Sequence, residues 1–216
     1  MEEKFTITVP GQGDVSAIAT TPVKPVARIL MAHGAGAGLT HRFMDRASME
    51  LFDRQIAVVR YNFPYMQQGR KYPDSKKKAI ATVKAIVDYV TADDSLPWFI
   101  GGKSYGGRIS SECAAIYPEI PITGLIFWGF PLHAPGRPSS DRGAHLADIK
   151  QRMLFLQGTR DALADLSLLR PMVDSLPNAE IHICKEADHS FHVLKRSGRT
   201  DAEVMTEIHD KIQDWI

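Results

Sequence analysis

From residue 27 onward, continuous apolar runs of strand length alternate with segments whose apolar residues recur at helical spacing. The runs are Ile29–Ala32, Ile56–Val59, Trp98–Ile100, Leu125–Trp128, Met153–Leu156 and Ile181–Ile183, rich in branched and aromatic residues. Runs without polar alternation suit strands covered on both faces, the condition of a parallel sheet. Between them, Phe43–Phe52, Ser75–Val90, Tyr105–Tyr117 and Leu166–Leu176 read as helices, with Ile80, Val83, Val87 and Val90 forming one stripe of the second. The last helix is the best marked: Thr200 and Glu203 have capping-box spacing, and Val204, Ile208 and Ile212 follow at helical intervals. At the front, Lys4–Val9 and Val15–Thr20 read as a hairpin around Gly11–Asp14, with Pro10 and Gly11 in the turn. The sum predicts an α/β fold, a doubly wound, mostly parallel sheet of eight strands with helices on both faces. Gly129–Gly143, with Pro131, Pro135 and Pro138, is the most irregular stretch and too short for a second domain, so residues 1–216 are expected to form one.

Composition narrows the classes. Hydrophobic residues at 44% and charged ones at 24% exclude a disordered or coiled-coil chain. Lys plus Arg number 26 against 25 Asp plus Glu, so no global field gathers nucleic acid or anionic lipid, and neither is expected as a partner. Cys113 and Cys184 are too few for a disulfide framework or a four-thiolate zinc site and read as small apolar core residues. No metal or cofactor is expected. The opening MEEKFTITVP lacks a basic n-region followed by an apolar one, and no apolar stretch nears the roughly 20 residues a span requires. A cytoplasmic protein, monomeric or homodimeric, is the expectation.

Chemistry enters at Leu96–Ser111, where an apolar strand runs into Gly102-Lys103-Ser104-Tyr105-Gly106 and a helix pattern starts at once. G-x-S-x-G between strand and helix is the setting of a nucleophilic serine on a sharp turn, where flanking glycines permit close backbone approach. The helix N-terminus behind Ser104 would direct N–H groups at a developing negative charge. A serine that merely caps the helix is the competing reading. A phosphate-binding loop ending in Gly102-Lys103-Ser104 needs glycine at position 97, which is Pro97.

A serine needs a base, and the base an orienting acid; in an open parallel sheet both belong at the carboxyl ends of strands. Asp161 follows the run Met153–Leu156, and His189 follows Ile181–Ile183. The expected roles are Ser104 as nucleophile, His189 as general base and then acid, and Asp161 holding the imidazole tautomer. Asp165 is a rival acid; His182, read as a strand-face residue, and His192, read as a surface one, are rival bases. An oxyanion hole is expected from the N–H groups of Ala35, in His33-Gly34-Ala35-Gly36-Ala37-Gly38, and of Tyr105, with His33 structural. Gly36, Phe63, Tyr65, Phe130 and Phe191 are candidates for a substrate pocket, against plain core packing for each aromatic. The basic run Arg70, Lys71 and Lys76–Lys78 reads as a solvated helix edge, with attraction of an anionic substrate as the alternative; lysines at a helix start oppose its dipole, and the sequence offers no reason for this.

Together HGAGAG, GGKSYGGR, QGTRDALAD and EADHSF resemble the α/β-hydrolase superfamily, and most of all its compact dienelactone-hydrolase-like branch, which also holds hydrolase-like subunits of a eukaryotic histone-acetyltransferase assembly. The resemblance runs from about residue 5 to 216 and implies an eight-stranded sheet with a triad at Ser104, Asp161 and His189. It departs from dienelactone hydrolases proper, whose nucleophile is cysteine, so their substrate does not carry over. The region Gly129–Arg152 leaves no room for a substantial cap. The function this implies is cleavage of a small carboxylic ester or thioester through an acyl-enzyme; a catalytically idle interaction protein and an acyltransferase with the same triad are the alternatives.

Overall fold

Unbroken apolar runs become strands here because both faces of the sheet are roofed by helices. The computed structural model describes residues 1–92 and 95–216. Its strands are β1 (Glu2–Val9), β2 (Gly13–Thr20), β3 (Ala27–Ala32), β4 (Ile56–Tyr61), β5 (Trp98–Lys103), β6 (Gly124–Trp128), β7 (Arg152–Gly158) and β8 (Ala179–Cys184). They lie in the order β1-β2-β4-β3-β5-β6-β7-β8. The pairs from β4 through to β8 are parallel, whereas β1 with β2 and β2 with β4 are antiparallel, so the sheet is mixed at one edge. At the other edge β8 is half-buried except for exposed Glu180 and buried Cys184: with one strand neighbour, its apolar run is less covered than the sequence pattern implies.

The helices are α1 (Arg42–Asp53), a single turn α2 (Pro64–Gln67), α3 (Lys76–Val90), α4 (Tyr105–Ile116), α5 (Leu166–Asp174) and α6 (Asp201–Trp215). Period-two alternation divides the strand residues between two cores. Met153 and Phe155 of β7 join Val83, Ile109 and Leu169 of α3, α4 and α5, while Leu154 and Leu156 join Met44 and Leu51 of α1 and Ile208 and Ile212 of α6. Thr200 accepts from the N–H of Glu203, whose carboxylate accepts from the N–H of Thr200, so α6 starts on a complete capping box.

The sequence pattern missed α2 and a 3-10 stretch at Asp141–Asp148. The latter lies in the connection from β6 to β7 and is held on α4 by Ser111 Oγ, 2.8 Å from His145 Nε2, with Leu146 and Ile149 in the core. That connection packs down as part of the fold and forms no cap. Among the described residues no helix is long and apolar enough to cross a membrane.

Candidate active site

Where β5 ends at Lys103 and α4 begins at Tyr105, Ser104 alone turns the chain, at φ 51° and ψ −114°. Positive φ is unusual for serine and costs about 1–3 kcal/mol, which surrounding structure must hold in place. Here the N–H of Ser104 donates to Trp128 O over 3.1 Å and Ser104 O accepts from Arg108 N at 3.1 Å. The turn also presses on β3: a Cβ at Gly102 would stand 2.1 Å from Ala32 O, and one at Gly106 2.4 Å from the same atom. Only glycine fits at either position.

Ser104 makes no side-chain bond to its own helix; its Oγ lies 2.8 Å from His189 Nε2. His189 Nδ1 is 2.7 Å from Asp161 Oδ2. A carboxylate only accepts, so Nδ1 carries the hydrogen and Nε2 is left to accept from the serine. Asp161 is 7% exposed, and its other oxygen accepts from Leu163 N at 2.8 Å. The rival residues are engaged elsewhere. Asp165 caps α5, His192 pairs with Asp201 at 2.9 Å, and His182 lies 2.7 Å from Glu207.

The loop after β3 runs against the serine: a Cβ at Gly34 would stand 4.0 Å from Ser104 Cβ. Among the described residues neither Ala35 N nor Tyr105 N donates to a protein acceptor, whereas Gly36 N donates to Tyr65 Oη at 3.0 Å. His33 is wholly buried; Nε2 accepts from Phe63 N and Nδ1 donates to Gly34 O, which ties this loop to the one after β4. Burial pushes its pKa down to about 4.

Of the residues expected to line a pocket, Phe63, Tyr65 and Phe130 need correction, because they are interior side chains. A cavity of about 480 Å³ flanks the site, lined by Gly34, Phe43, Lys103, Ser190 and Phe191 among others, but Gly36, Phe63, Tyr65 and Phe130 are not in its wall. Phe63 and Tyr65 are about 1% exposed and fill the interior between the β4 loop and α4, with Phe63 edge-on to His33 and Tyr105. Phe130 packs on Phe127 and Phe155. Rings of this size are accommodated inside, where they lose the most water-exposed area. Phe191 alone of the five borders the cavity, stacked on Phe43 at 6.0 Å.

Two residues of the site escaped the sequence reading. Gln157, wholly buried at the end of β7, donates from Nε2 to Asp161 Oδ2 at 2.5 Å and accepts from Phe130 N at 3.0 Å. A lone amide in an apolar run was the available signal. Lys103 lies between the rings of Phe43 and Phe191 and donates from Nζ to His189 O at 2.6 Å. Burial pushes its pKa down to about 8, opposed by the charges of Asp161 and Asp188. Period-two counting from Phe99 places Lys103 on the α1/α6 side of the sheet and would have separated it from a phosphate loop.

A profile of the family described as an alpha/beta hydrolase domain matches residues 25–216. Among solved structures, the chain is similar to a lidless α/β serine hydrolase from Xanthomonas campestris, with TM-score 0.78 and 18% identity over 100% of this chain and 95% of that one. It is similar also to an α/β serine hydrolase homologue from Coxiella burnetii, with TM-score 0.78 and 18% identity, covering 99% and 97%. A dienelactone hydrolase from Anabaena variabilis aligns with TM-score 0.78 and 16% identity over 100% and 96%.

Proposed function

Because this chain belongs to the alpha/beta hydrolase family, we propose that it is a serine hydrolase cleaving a small carboxylic ester or thioester through an acyl-enzyme. The observation that carries the reading is the unbroken hydrogen-bond chain from Ser104 through His189 to Asp161. As Ser104 Oγ bonds to the substrate's carbonyl carbon, His189 Nε2 takes its proton. The carbonyl electron pair moves onto oxygen, where the N–H groups of Ala35 and Tyr105, the latter at the start of α4, receive the charge. Collapse restores the carbonyl and breaks the C–O or C–S bond, and the imidazolium passes its proton to the departing alkoxide or thiolate. Water then repeats the sequence on the acyl-enzyme and frees Ser104. Asp161 stays ionised throughout and stabilises the imidazolium. Every proton in this scheme is held by Ser104, His189, the leaving group or the attacking water.

A fluorophosphonate probe is expected to label the wild type and not Ser104→Ala. Turnover of short p-nitrophenyl esters is expected to fall by about 10⁴-fold or more in Ser104→Ala and in His189→Ala, since such residues act as a unit. Equal labelling of wild type and Ser104→Ala, with silence across an acyl panel, would leave a hydrolase-shaped binding protein instead.

A further inference from the structure

The cavity beside Ser104 has an unusual charge. Its lining includes Arg42, Arg46 and Lys103 against one carboxylate, Asp201. Asp201 is already committed, to His192 Nδ1 at 2.9 Å and Val193 N at 2.9 Å. Among the described residues Arg46 pairs with Glu50, at 3.8 Å, and also acts on Asp201 from farther off, while Arg42 and Lys103 have no ion pair within 4 Å. Lys103 is the telling member. Its ammonium is walled by two aromatic rings and spends one N–H on the carbonyl of His189. Asp161 and Asp188 act on it from beyond 4 Å and, among the described residues, no carboxylate pairs with it directly, so an entering anion gains a direct partner there. The first turn of α1, which begins at Arg42 in the cavity wall, adds the positive end of a helix dipole. Gly34, Lys103 and Ser190 in this wall are the chain neighbours of Ala35, Ser104 and His189, so the cavity flanks the candidate site.

We infer that this cavity is a subsite for an anionic group of the substrate, so that the favoured ester carries a carboxylate or a similar anion a few bonds from its scissile carbonyl. The anion belongs either to the acyl part or to the alcohol part. As a statement about substrate the inference rests on the serine-hydrolase reading; as a statement about binding it does not.

The test compares each anionic ester with a neutral partner in which an isopropyl group replaces the carboxylate. Monoethyl glutarate against ethyl 5-methylhexanoate probes the acyl side; 3-carboxypropyl butanoate against 4-methylpentyl butanoate probes the alcohol side. Acid release at pH 7 gives kcat/KM for the wild type, Lys103→Met and Arg42→Gln/Arg46→Gln. In one arm the wild type is expected to favour the anionic ester about tenfold or more, with that ratio falling toward one in both variants. Ratios near one in both arms, or a ratio that neither variant changes, overturn the subsite. Calorimetric titration of Ser104→Ala with monoethyl glutarate and with its carboxamide reads binding apart from turnover. Preference for the anion there, in a wild type that cleaves no ester, retains the subsite and removes the hydrolase; equal binding of the two removes the subsite.

Discussion

Ser104 shows how much of this site depends on the support of single side chains. Its positive φ and its lack of a capping bond leave Oγ free for His189, and His189 in turn is held from two directions. Asp161 fixes the ring through Nδ1, and Lys103 fixes the main chain through the carbonyl. Behind Asp161 stands Gln157, which joins that carboxylate to the backbone of Phe130. Gln157→Leu removes both bonds inside the protein and leaves Phe130 N and one carboxylate lone pair unmatched. The expected result is a loss of about 1–3 kcal/mol in urea unfolding. In ester kinetics we expect kcat to fall about tenfold or more with KM little changed, because Gln157 positions Asp161 and has no contact with substrate. A kcat equal to wild type would reduce Gln157 to a structural role.

At the scale of elements, the strand-turn-helix from β5 to α4 works because two backbones approach where no side chain intervenes. Gly102→Ala puts a methyl group 2.1 Å from Ala32 O, and the atom it meets is main chain that cannot swing aside. We expect destabilisation of about 3 kcal/mol, at the upper end of overpacking costs, together with weakened ester turnover as the turn shifts. Unchanged unfolding midpoints would contradict the close approach of β5 and β3. The basic start of α3 also becomes intelligible at this scale. Lys76 lies 3.2 Å from Glu112 of α4, and Glu112 also takes Arg108 at 3.1 Å, so a neighbouring helix supplies the negative charge that the first turn of α3 lacks. Arg70 is likewise paired, with Asp74 at 2.6 Å. These pairs are part of the scaffold, and the cations that line the cavity beside the candidate site are supplied by α1 and Lys103 instead.

For the whole molecule, the two cores each enclose a histidine that folding keeps neutral. His33 is held as described above, and His209 of α6 donates from Nδ1 to Met205 O at 2.7 Å. Burial pushes their pKa values down to about 4 and about 3. In the unfolded chain both take up a proton below about 6.5. The unfolded state therefore binds more protons between those limits, so stability is full above pH 6.5 and is lost as pH falls toward 4. Each histidine contributes a loss on the order of a few kcal/mol. Urea midpoints measured from pH 7 to pH 4.5 should fall steadily, and less steeply in His209→Gln; a flat profile would show that neither imidazole is sealed from protons.

The division between what the pattern of residues determined and what folding decided follows distance along the chain. Strand and helix positions depend on neighbours a few residues apart, so apolar runs, the capping box at Thr200 and the glycines around Ser104 were legible without coordinates. So was the choice of Ser104, Asp161 and His189 as residues to bring together, since each follows a strand of one sheet. Whether they meet rests on contacts such as Ser104 with His189, 85 residues apart, which strand order alone creates. The cavity was beyond the sequence for the same reason. Aromatic side chains near a site in sequence went to the interior, while α1, whose helical pattern carries no sign of chemistry, was folded against Lys103 and became its wall. Burial and charge are properties of a place in the folded molecule, and residues acquire them only when distant segments close around them.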